Sequence, residues 1–171
     1  PALTFLSVVP MVAGFSVISR LMVFIFSSYE ILKILIAIIA IISIFFGIML
    51  GIQKENLKEI ITSNTTIQSG MMLLGLSSFT AYSLSSILFY LLCYSLAMIA
   101  IGASLTIINK TSISSYQGLI YTRPYYALST TLCFLTLAGL APTCGFISKI
   151  YLLSAVARSS FVYVAFMIVA M

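Results

Sequence analysis

Residues 122–153, TRPYYALSTTLCFLTLAGLAPTCGFISKIYLL, decide the fold of this chain. They form two apolar runs that are separated by Gly139, Pro142 and Gly145. Proline removes a backbone donor and clashes with the preceding helical turn, and glycine weakens a helix. The sequence therefore predicts one membrane crossing that is broken near residues 140–145. Inside a bilayer, such a break is tolerated only where it is buried in protein or faces water.

Lys149 follows the break by one helical turn and has apolar neighbours on both sides. A lysine at this depth costs about 2.5–3.5 kcal/mol on insertion scales unless it has a partner or water. We therefore expect its side chain to lie near mid-membrane depth and to point toward hydroxyl groups, water or the polar face of the third helix. A broken helix beside an intramembrane lysine is typical of an ion pathway. The alternative, a lysine that snorkels to the nearer membrane surface, stays open.

The whole chain is as apolar as this stretch. Its 171 residues are 62% hydrophobic and 6% charged, whereas soluble domains carry about 25% charged residues. The apolar runs are continuous and lack strand-like alternation, which excludes a transmembrane barrel. The predicted fold class is all-α, a polytopic transmembrane helix bundle with one discontinuous helix.

The apolar runs predict a single membrane domain over residues 1–171, with five or six helices. Their approximate bounds are 2–27, 31–52, 57–76, 82–108, 124–157 with the break near 140–145, and 161–171. The last helix would span about 16 Å, roughly half of the hydrocarbon core, so it is expected to be truncated or completed by another chain. Residues 109–121 are predicted to be the one substantial loop.

The first half of the third predicted helix is unusually polar. Its hydroxyl and amide residues are Thr62, Ser63, Asn64, Thr65, Thr66 and Gln68. A helix that faces lipid cannot carry six such groups, so this half must contact other helices or an aqueous cavity. The candidate lining residues are Ser63, Thr66, Gln68 and, from the fourth helix, Tyr94. Lys58, one turn earlier, is either an interfacial anchor paired with Glu55 or Glu59 or a group at the mouth of a proton path.

Few residues in this chain are suited to hold a metal or a redox cofactor. There is no histidine, and Cys93, Cys133 and Cys144 lack CxxC spacing, so the cysteines are expected to be small buried hydrophobic residues. The net charge of +5 rests on eight basic residues that lie mostly near helix ends. We therefore expect lipids and membrane proteins as partners, no nucleic acid, and no metal or cofactor site in this chain.

Three stretches resemble the antiporter-like membrane subunits of respiratory complex I. Residues 53–76, QKENLKEIITSNTTIQSGMMLLGL, resemble the family pattern QxxIKRxLAYSSIxHxGY. Residues 118–153 are similar to the subunit 2 version of the second pattern, GL…RP…LSLAGxPPxxGFxxKxY, and residues 1–21 to the eighth helix. The order and spacing agree over essentially the whole chain. The match would run from the eighth to the start of the thirteenth helix of a fourteen-helix fold, so the fold would be partial.

The resemblance implies a membrane-arm subunit that takes part in proton translocation coupled to NADH:ubiquinone electron transfer. The chain would be an enzyme only as a subunit of the H⁺-translocating NADH:ubiquinone reductase, with no redox centre of its own. NADH, FMN, iron–sulfur clusters and ubiquinone would be bound elsewhere in the complex. The implied partners are other complex I membrane subunits and a second fragment that supplies the missing N-terminal helices. The Ile-, Ser- and Phe-rich composition favours the mitochondrial inner membrane, and a bacterial plasma membrane is the alternative.

The resemblance also implies roles for particular residues. Lys149 and Lys58 match proton-path lysines of the family, whereas its eighth-helix lysine is Met11 here and its histidine position is Gln68. A thioether cannot carry a proton. Two other functions therefore stay open: a cation/proton antiporter subunit of the Mrp type, and a structural subunit whose proton path has decayed.

Overall fold

The structure, a computed structural model, describes residues 2–25, 30–78, 80–108 and 112–157. Over these ranges it consists of helices and their connections, with a single isolated backbone bridge between Asn56 and Ser112 in place of any sheet. The predicted all-α class is thereby confirmed. The predicted helix over residues 161–171 lies outside the described residues.

The described part of the chain contains four long helices followed by shorter ones. The helices are α1 (Ala2–Ile25), α2 (Glu30–Ile52), α3 (Leu57–Leu76), α4 (Ala81–Ile108), α5 (Leu119–Thr122), α6 (Pro124–Ala138) and α7 (Cys144–Ala157), with a 3-10 turn at Ile113–Tyr116. The helix predicted over residues 124–157 is thus interrupted over residues 139–143.

Within the described ranges, three helices are long and apolar enough to cross a membrane by themselves. Their apolar segments are Thr4–Leu21, Ile31–Ile52 and Ala81–Ile108. α3 has 20 residues, but its first half is polar. α6 and α7 have 15 and 14 residues, and one crossing needs about 20. Together they therefore have the length of one interrupted crossing.

The stretch that was predicted as one loop over residues 109–121 is more regular than expected where it is described. Gly118 adopts a left-handed backbone with φ of 78°, and α5 begins at the next residue. The backbone N–H of Ile113 donates to the carbonyl oxygen of Glu55 at 3.3 Å, which ties this segment to the start of α3. The predicted loop thus contains a 3-10 turn and the start of α5, which sequence analysis did not anticipate because such short elements show no periodicity.

α4 lies at the centre of the bundle, where it contacts α1, α3, α6 and α7. The main core is shared among six helices and includes Val8, Phe15, Ile44, Met72, Ile87, Met98, Leu137 and Leu152. α2 packs mainly on α3, and Gly70 permits this close approach because a Cβ there would lie 2.7 Å from Ile44 Cγ1 and 3.0 Å from the Ala40 carbonyl oxygen.

The outer face of α2 is apolar and exposed. Its exposed side chains include Ile34, Leu35, Ile38, Ile39, Ile42, Phe45, Phe46, Met49 and Leu50. A face of this size is unfavourable in water but suits lipid or the apolar surface of another membrane protein. The exposed face of α2 therefore requires apolar surroundings.

Candidate functional site

The candidate site is built on the C-terminal end of α6. Gly139 ends this helix in a left-handed conformation with φ of 77°. The backbone N–H groups of Gly139 and Leu140 both donate to the Leu135 carbonyl oxygen, at 3.0 and 3.1 Å. This capping pattern requires a residue that tolerates positive φ, which glycine does without strain. In the described part of the chain, the next two carbonyl oxygens, of Leu137 and Ala138, receive no backbone donor.

Lys149 supplies the donors that these two carbonyls lack. Its Nζ lies 2.8 Å from the Ala138 oxygen and 3.2 Å from the Leu137 oxygen, and the side chain is half-buried. The C-terminus of a helix carries a partial negative charge, which stabilises a nearby ammonium. The side chain was expected to point toward hydroxyl groups, water or the polar face of the third helix, and Gln68 of that helix lines the same cavity. The hydrogen bonds of the ammonium go to backbone carbonyls, because the break frees them within reach of the lysine.

Gly145 and Gly139 bring α7 close enough to α6 for this contact. A Cβ on Gly145 would overlap the Thr136 carbonyl oxygen. A Cβ on Gly139 would lie 2.6 Å from Lys149 Cδ and 2.9 Å from Nζ. Pro142 follows a cis peptide bond in the exposed connection between the two helices. The two glycines thus shape the lysine site, whereas Pro142 belongs to the turn that separates the helices.

Gln68 connects α3 and α4 to the same carbonyl. Its Nε2 donates to the Leu137 oxygen at 3.2 Å and to Asn64 Oδ1 at 3.1 Å, and its Oε1 accepts a hydrogen bond from the Tyr90 hydroxyl. The side chain is only 2% exposed. Every hydrogen-bonding group of this buried amide is therefore engaged, and Lys149 and Gln68 share one acceptor.

A cavity of about 10 Å³ lies beside these groups. Its polar lining includes Gln68, Tyr90, Tyr94, Thr136, Ser148 and Lys149. Tyr94 is 3% exposed, and its hydroxyl has no hydrogen-bond partner among the described residues. The site thus combines a lysine held by carbonyls, a buried amide and a buried hydroxyl around a small polar cavity.

Ser63 and Thr66 lie on another side of α3. The Ser63 hydroxyl donates to the Ile60 carbonyl oxygen at 2.9 Å, and a Cβ on Gly51 of α2 would lie 3.0 Å from it. The Thr66 carbonyl oxygen accepts from the Ser43 hydroxyl of α2 at 3.2 Å. Of the four predicted lining residues, the structure therefore brings Gln68 and Tyr94 to Lys149 and places Ser63 and Thr66 against α2.

Lys58 is exposed near the start of α3. It lies about 15 Å along the helix from Gln68, at about 1.5 Å per residue, so it is not part of the lysine site. Glu59 forms its ion pair with Lys54, at 2.8 Å, and accepts from Asn56 Nδ2 at 3.2 Å. Neither considered pairing of Lys58, with Glu55 or with Glu59, occurs among the described residues, and consecutive residues such as Lys58 and Glu59 point to different sides of a helix.

Met11 and the cysteines carry no polar site in the described ranges. Met11 is half-buried and packs against the main hydrophobic core. Cys93 and Cys133 are partly buried, but Cys144 is exposed. The expectation of three buried cysteines was thus wrong for Cys144, because the break leaves the first residue of α7 uncovered. No group of three or more potential metal ligands occurs among the residues that the structure describes.

Sequence reasoning assigned Tyr90, which binds Gln68, to helix packing and not to the lining residues. A signal for it existed, because Tyr90 and Tyr94 are four residues apart on α4, as Asn64 and Gln68 are on α3. Residues at this spacing share one helix face. Two such polar pairs on neighbouring helices predict one shared cluster. For the Leu137 and Ala138 carbonyls, the only indication in the sequence was Gly139, the glycine that caps α6.

This architecture defines a helical membrane protein in which a lysine binds the broken end of a discontinuous helix. Residues 1–171 match the family described as NADH:quinone oxidoreductase/Mrp antiporter, transmembrane, and the chain belongs to this family. The resemblance drawn from residues 1–21, 53–76 and 118–153 is thereby confirmed.

Several curated proteins are similar to this chain. NADH-quinone oxidoreductase subunit N of Trichlorobacter lovleyi is 31% identical over 171 residues, which cover 96% of this chain and 35% of that protein. NAD(P)H-quinone oxidoreductase subunit 2 of Prochlorococcus marinus subsp. pastoris is 34% identical over 159 residues, or 89% and 31% of the two chains. Subunit N of Ruthia magnifica is 29% identical over 167 residues, or 94% and 34%. The chain spans about one third of the length of these relatives.

Proposed function

We propose that this chain is part of a membrane-arm subunit of a complex I-type NADH:quinone oxidoreductase and takes part in proton translocation. The observation that carries the proposal is the Lys149 ammonium, which is bound by the Leu137 and Ala138 carbonyls at the broken end of α6. Family membership and the names of the similar proteins support the same function.

The environment of Lys149 suits a residue that gains and loses a proton. The two carbonyls favour the charged ammonium, while the apolar packing around the half-buried side chain favours the neutral amine. A change in the position of α7 relative to the end of α6 alters this balance. Electron transfer can then be coupled to release of the proton by a movement that lengthens the distances from Lys149 Nζ to the two oxygens, because these oxygens favour the charged ammonium.

The remaining parts of the proposal concern the assembly. NADH, FMN, iron–sulfur clusters and quinone are bound by other subunits, and this chain carries no redox centre. Its partners are the other membrane subunits, and further helices of the family fold come from the rest of the subunit or from a second chain. The proposed location is the mitochondrial inner membrane, on the basis of composition. Bacterial relatives make a bacterial plasma membrane the alternative.

Two further functions have specific observations in their favour. The resemblance puts Met11 at the lysine position of the family, and the side chain packs against the apolar core, which favours a structural subunit with a decayed proton path. The family itself also includes Mrp antiporters. The similar proteins reported above carry quinone oxidoreductase names, and this supports the redox-coupled function over an Mrp-type antiporter subunit.

Isolation of the assembly from native membranes through a tag on this chain tests the proposal. We expect co-purification of quinone oxidoreductase subunits and NADH:quinone reductase activity in the isolated material. The matched control is the same membrane preparation without the tag. Recovery of antiporter subunits alone, with no NADH oxidation, would contradict the proposal and favour the Mrp-type function.

A further inference from the structure

The cavity beside Lys149 brings together polar groups whose hydrogen-bonding capacity is incompletely used. An ammonium has three N–H donors, and Lys149 directs two of them to the Ala138 and Leu137 oxygens at 2.8 and 3.2 Å. Tyr94 lines the same cavity, is 3% exposed and has no hydrogen-bond partner for its hydroxyl among the described residues. One N–H donor of Lys149 is thus available at this cavity. The Tyr94 hydroxyl is available there both as a donor and as an acceptor.

The size and chemistry of the cavity select the ligand. Its volume of about 10 Å³ is close to the roughly 10–15 Å³ that one water molecule needs. The part of the lining that is described contains no carboxylate, and the lysine charge disfavours a metal cation. A larger anion does not fit. A water molecule also needs two to four polar partners, and Lys149, Tyr94 and the hydroxyl oxygen of Ser148 line the space.

We propose that this cavity binds one water molecule, which accepts a hydrogen bond from the Lys149 ammonium and is hydrogen-bonded to the Tyr94 hydroxyl. Tyr94 is then a positioning residue, since it acts on Lys149 through the water. The inference deepens the proposed function and its pumping test rests on that function, because a water held beside the lysine is the position to which its proton has access.

Gln68 explains why the water binds on the Tyr94 side. Both N–H groups of its amide are used by Asn64 and by the Leu137 carbonyl, and its oxygen is occupied by Tyr90. This side chain therefore has no donor left for a ligand and forms a fixed wall of the cavity. The Tyr94 side chain, one turn from Tyr90 on α4, lines the same cavity, and its hydroxyl has no hydrogen-bond partner in the part of the chain that is described.

High-resolution structures of the assembled complex test the water site directly. We expect a density peak within hydrogen-bonding distance of Lys149 Nζ and Tyr94 Oη. In Tyr94→Phe the peak should be lost while Nζ stays on the two carbonyls. The matched control is Tyr82→Phe, which removes a hydroxyl from the same helix, 3.1 Å from Ser154 and outside the cavity lining. A wild-type map without the peak, or a peak that persists in Tyr94→Phe, overturns the inference.

Proton pumping per NADH oxidised separates this inference from the proposed function. Tyr94→Phe should lower the stoichiometry by a fraction that approaches the loss in Lys149→Met, while Tyr82→Phe should match the wild type. If Lys149→Met lowers pumping and Tyr94→Phe does not, the role of Tyr94 is overturned and the function stands. If Lys149→Met has the wild-type stoichiometry, the proposed function fails, and the density peak alone then decides the water site.

Discussion

Gln68 links three helices through a single buried amide. It binds the side chains of Asn64 and Tyr90 and the carbonyl oxygen of Leu137, next to the ammonium of Lys149. Buried polar groups stabilise a structure only when all of their partners are present, because an unpaired group retains its full desolvation cost. This amide therefore holds the broken end of α6 in register with α3 and α4.

Replacement of Gln68 by leucine should destabilise the protein within its assembly. The Tyr90 hydroxyl would lose its acceptor, and each buried polar group left unpaired costs about 1–3 kcal/mol. A Gln68→Leu, Tyr90→Phe double variant should cost less than the sum of the two single variants. The measurement is the thermal midpoint of the isolated complex, with Ser69→Ala as the control, since the Ser69 hydroxyl binds the Thr66 carbonyl of its own helix and no other group among the described residues. If the changes in thermal midpoint of the two single variants simply add up in the double variant, Gln68 and Tyr90 are not linked.

At the scale of the element, the helix break depends on close contact between α6 and α7. The structure places α7 directly against the last turn of α6 at Gly145, where a Cβ would overlap the Thr136 carbonyl oxygen. The backbone there has no freedom to shift without moving Lys149, which lies one turn further along α7. The position of Lys149 is thus set by the close backbone contact at Gly145, a residue that has no side chain.

Gly145→Ala should separate α7 from the end of α6. Overpacking of this kind costs about 1–3 kcal/mol, and the shift should also lengthen the contacts of Lys149 Nζ with the two carbonyls. Gly14→Ala is the matched control, since a Cβ at Gly14 meets no described residue within 4 Å. Its effect should be neutral or a gain of up to about 1 kcal/mol, because alanine favours a helix over glycine. Equal thermal midpoints for the two variants would show that the contact at Gly145 is unimportant.

Sequence reasoning performed best where backbone chemistry is restrictive. Glycine and proline between two apolar runs predicted a broken crossing, and the structure interrupts the helix over residues 139–143. Sequence reasoning is less restrictive for short polar side chains such as Ser63, because a serine hydroxyl on a helix can bind a carbonyl of its own helix, and the residue type then does not tell a helix contact from a cavity. The carbonyl partners of Lys149 were also missed, since backbone acceptors leave no mark in residue type.

At the scale of the whole molecule, the bundle has apolar surfaces that require a surrounding apolar phase. The exposed face of α2 and the exposed apolar residues Leu88, Leu92, Leu96 and Ile99 of α4 are examples. Chains of this kind rely on lipid and on neighbouring subunits to cover such faces.

We predict that this chain is recovered as a folded protein only as part of a large membrane assembly. Expressed alone in detergent, it should aggregate or migrate heterogeneously, because the exposed apolar faces of α2 and α4 lack the subunits that cover them. The measurement is the elution profile of the isolated chain in size-exclusion chromatography, compared with that of the intact assembly in the same detergent. A monodisperse monomer with a cooperative thermal transition would contradict the prediction.

The most direct test of the account is the proton stoichiometry of Lys149 variants in reconstituted vesicles, normalised to NADH oxidation. Lys149→Met should pump fewer protons per NADH while assembly is retained, and Lys149→Arg should also be impaired, because a guanidinium does not release its proton at accessible pH. The control is Lys33→Met, which removes an equivalent charge from α2, away from the break. Wild-type stoichiometry in both Lys149 variants would contradict the account and leave the lysine as a structural cap on α6.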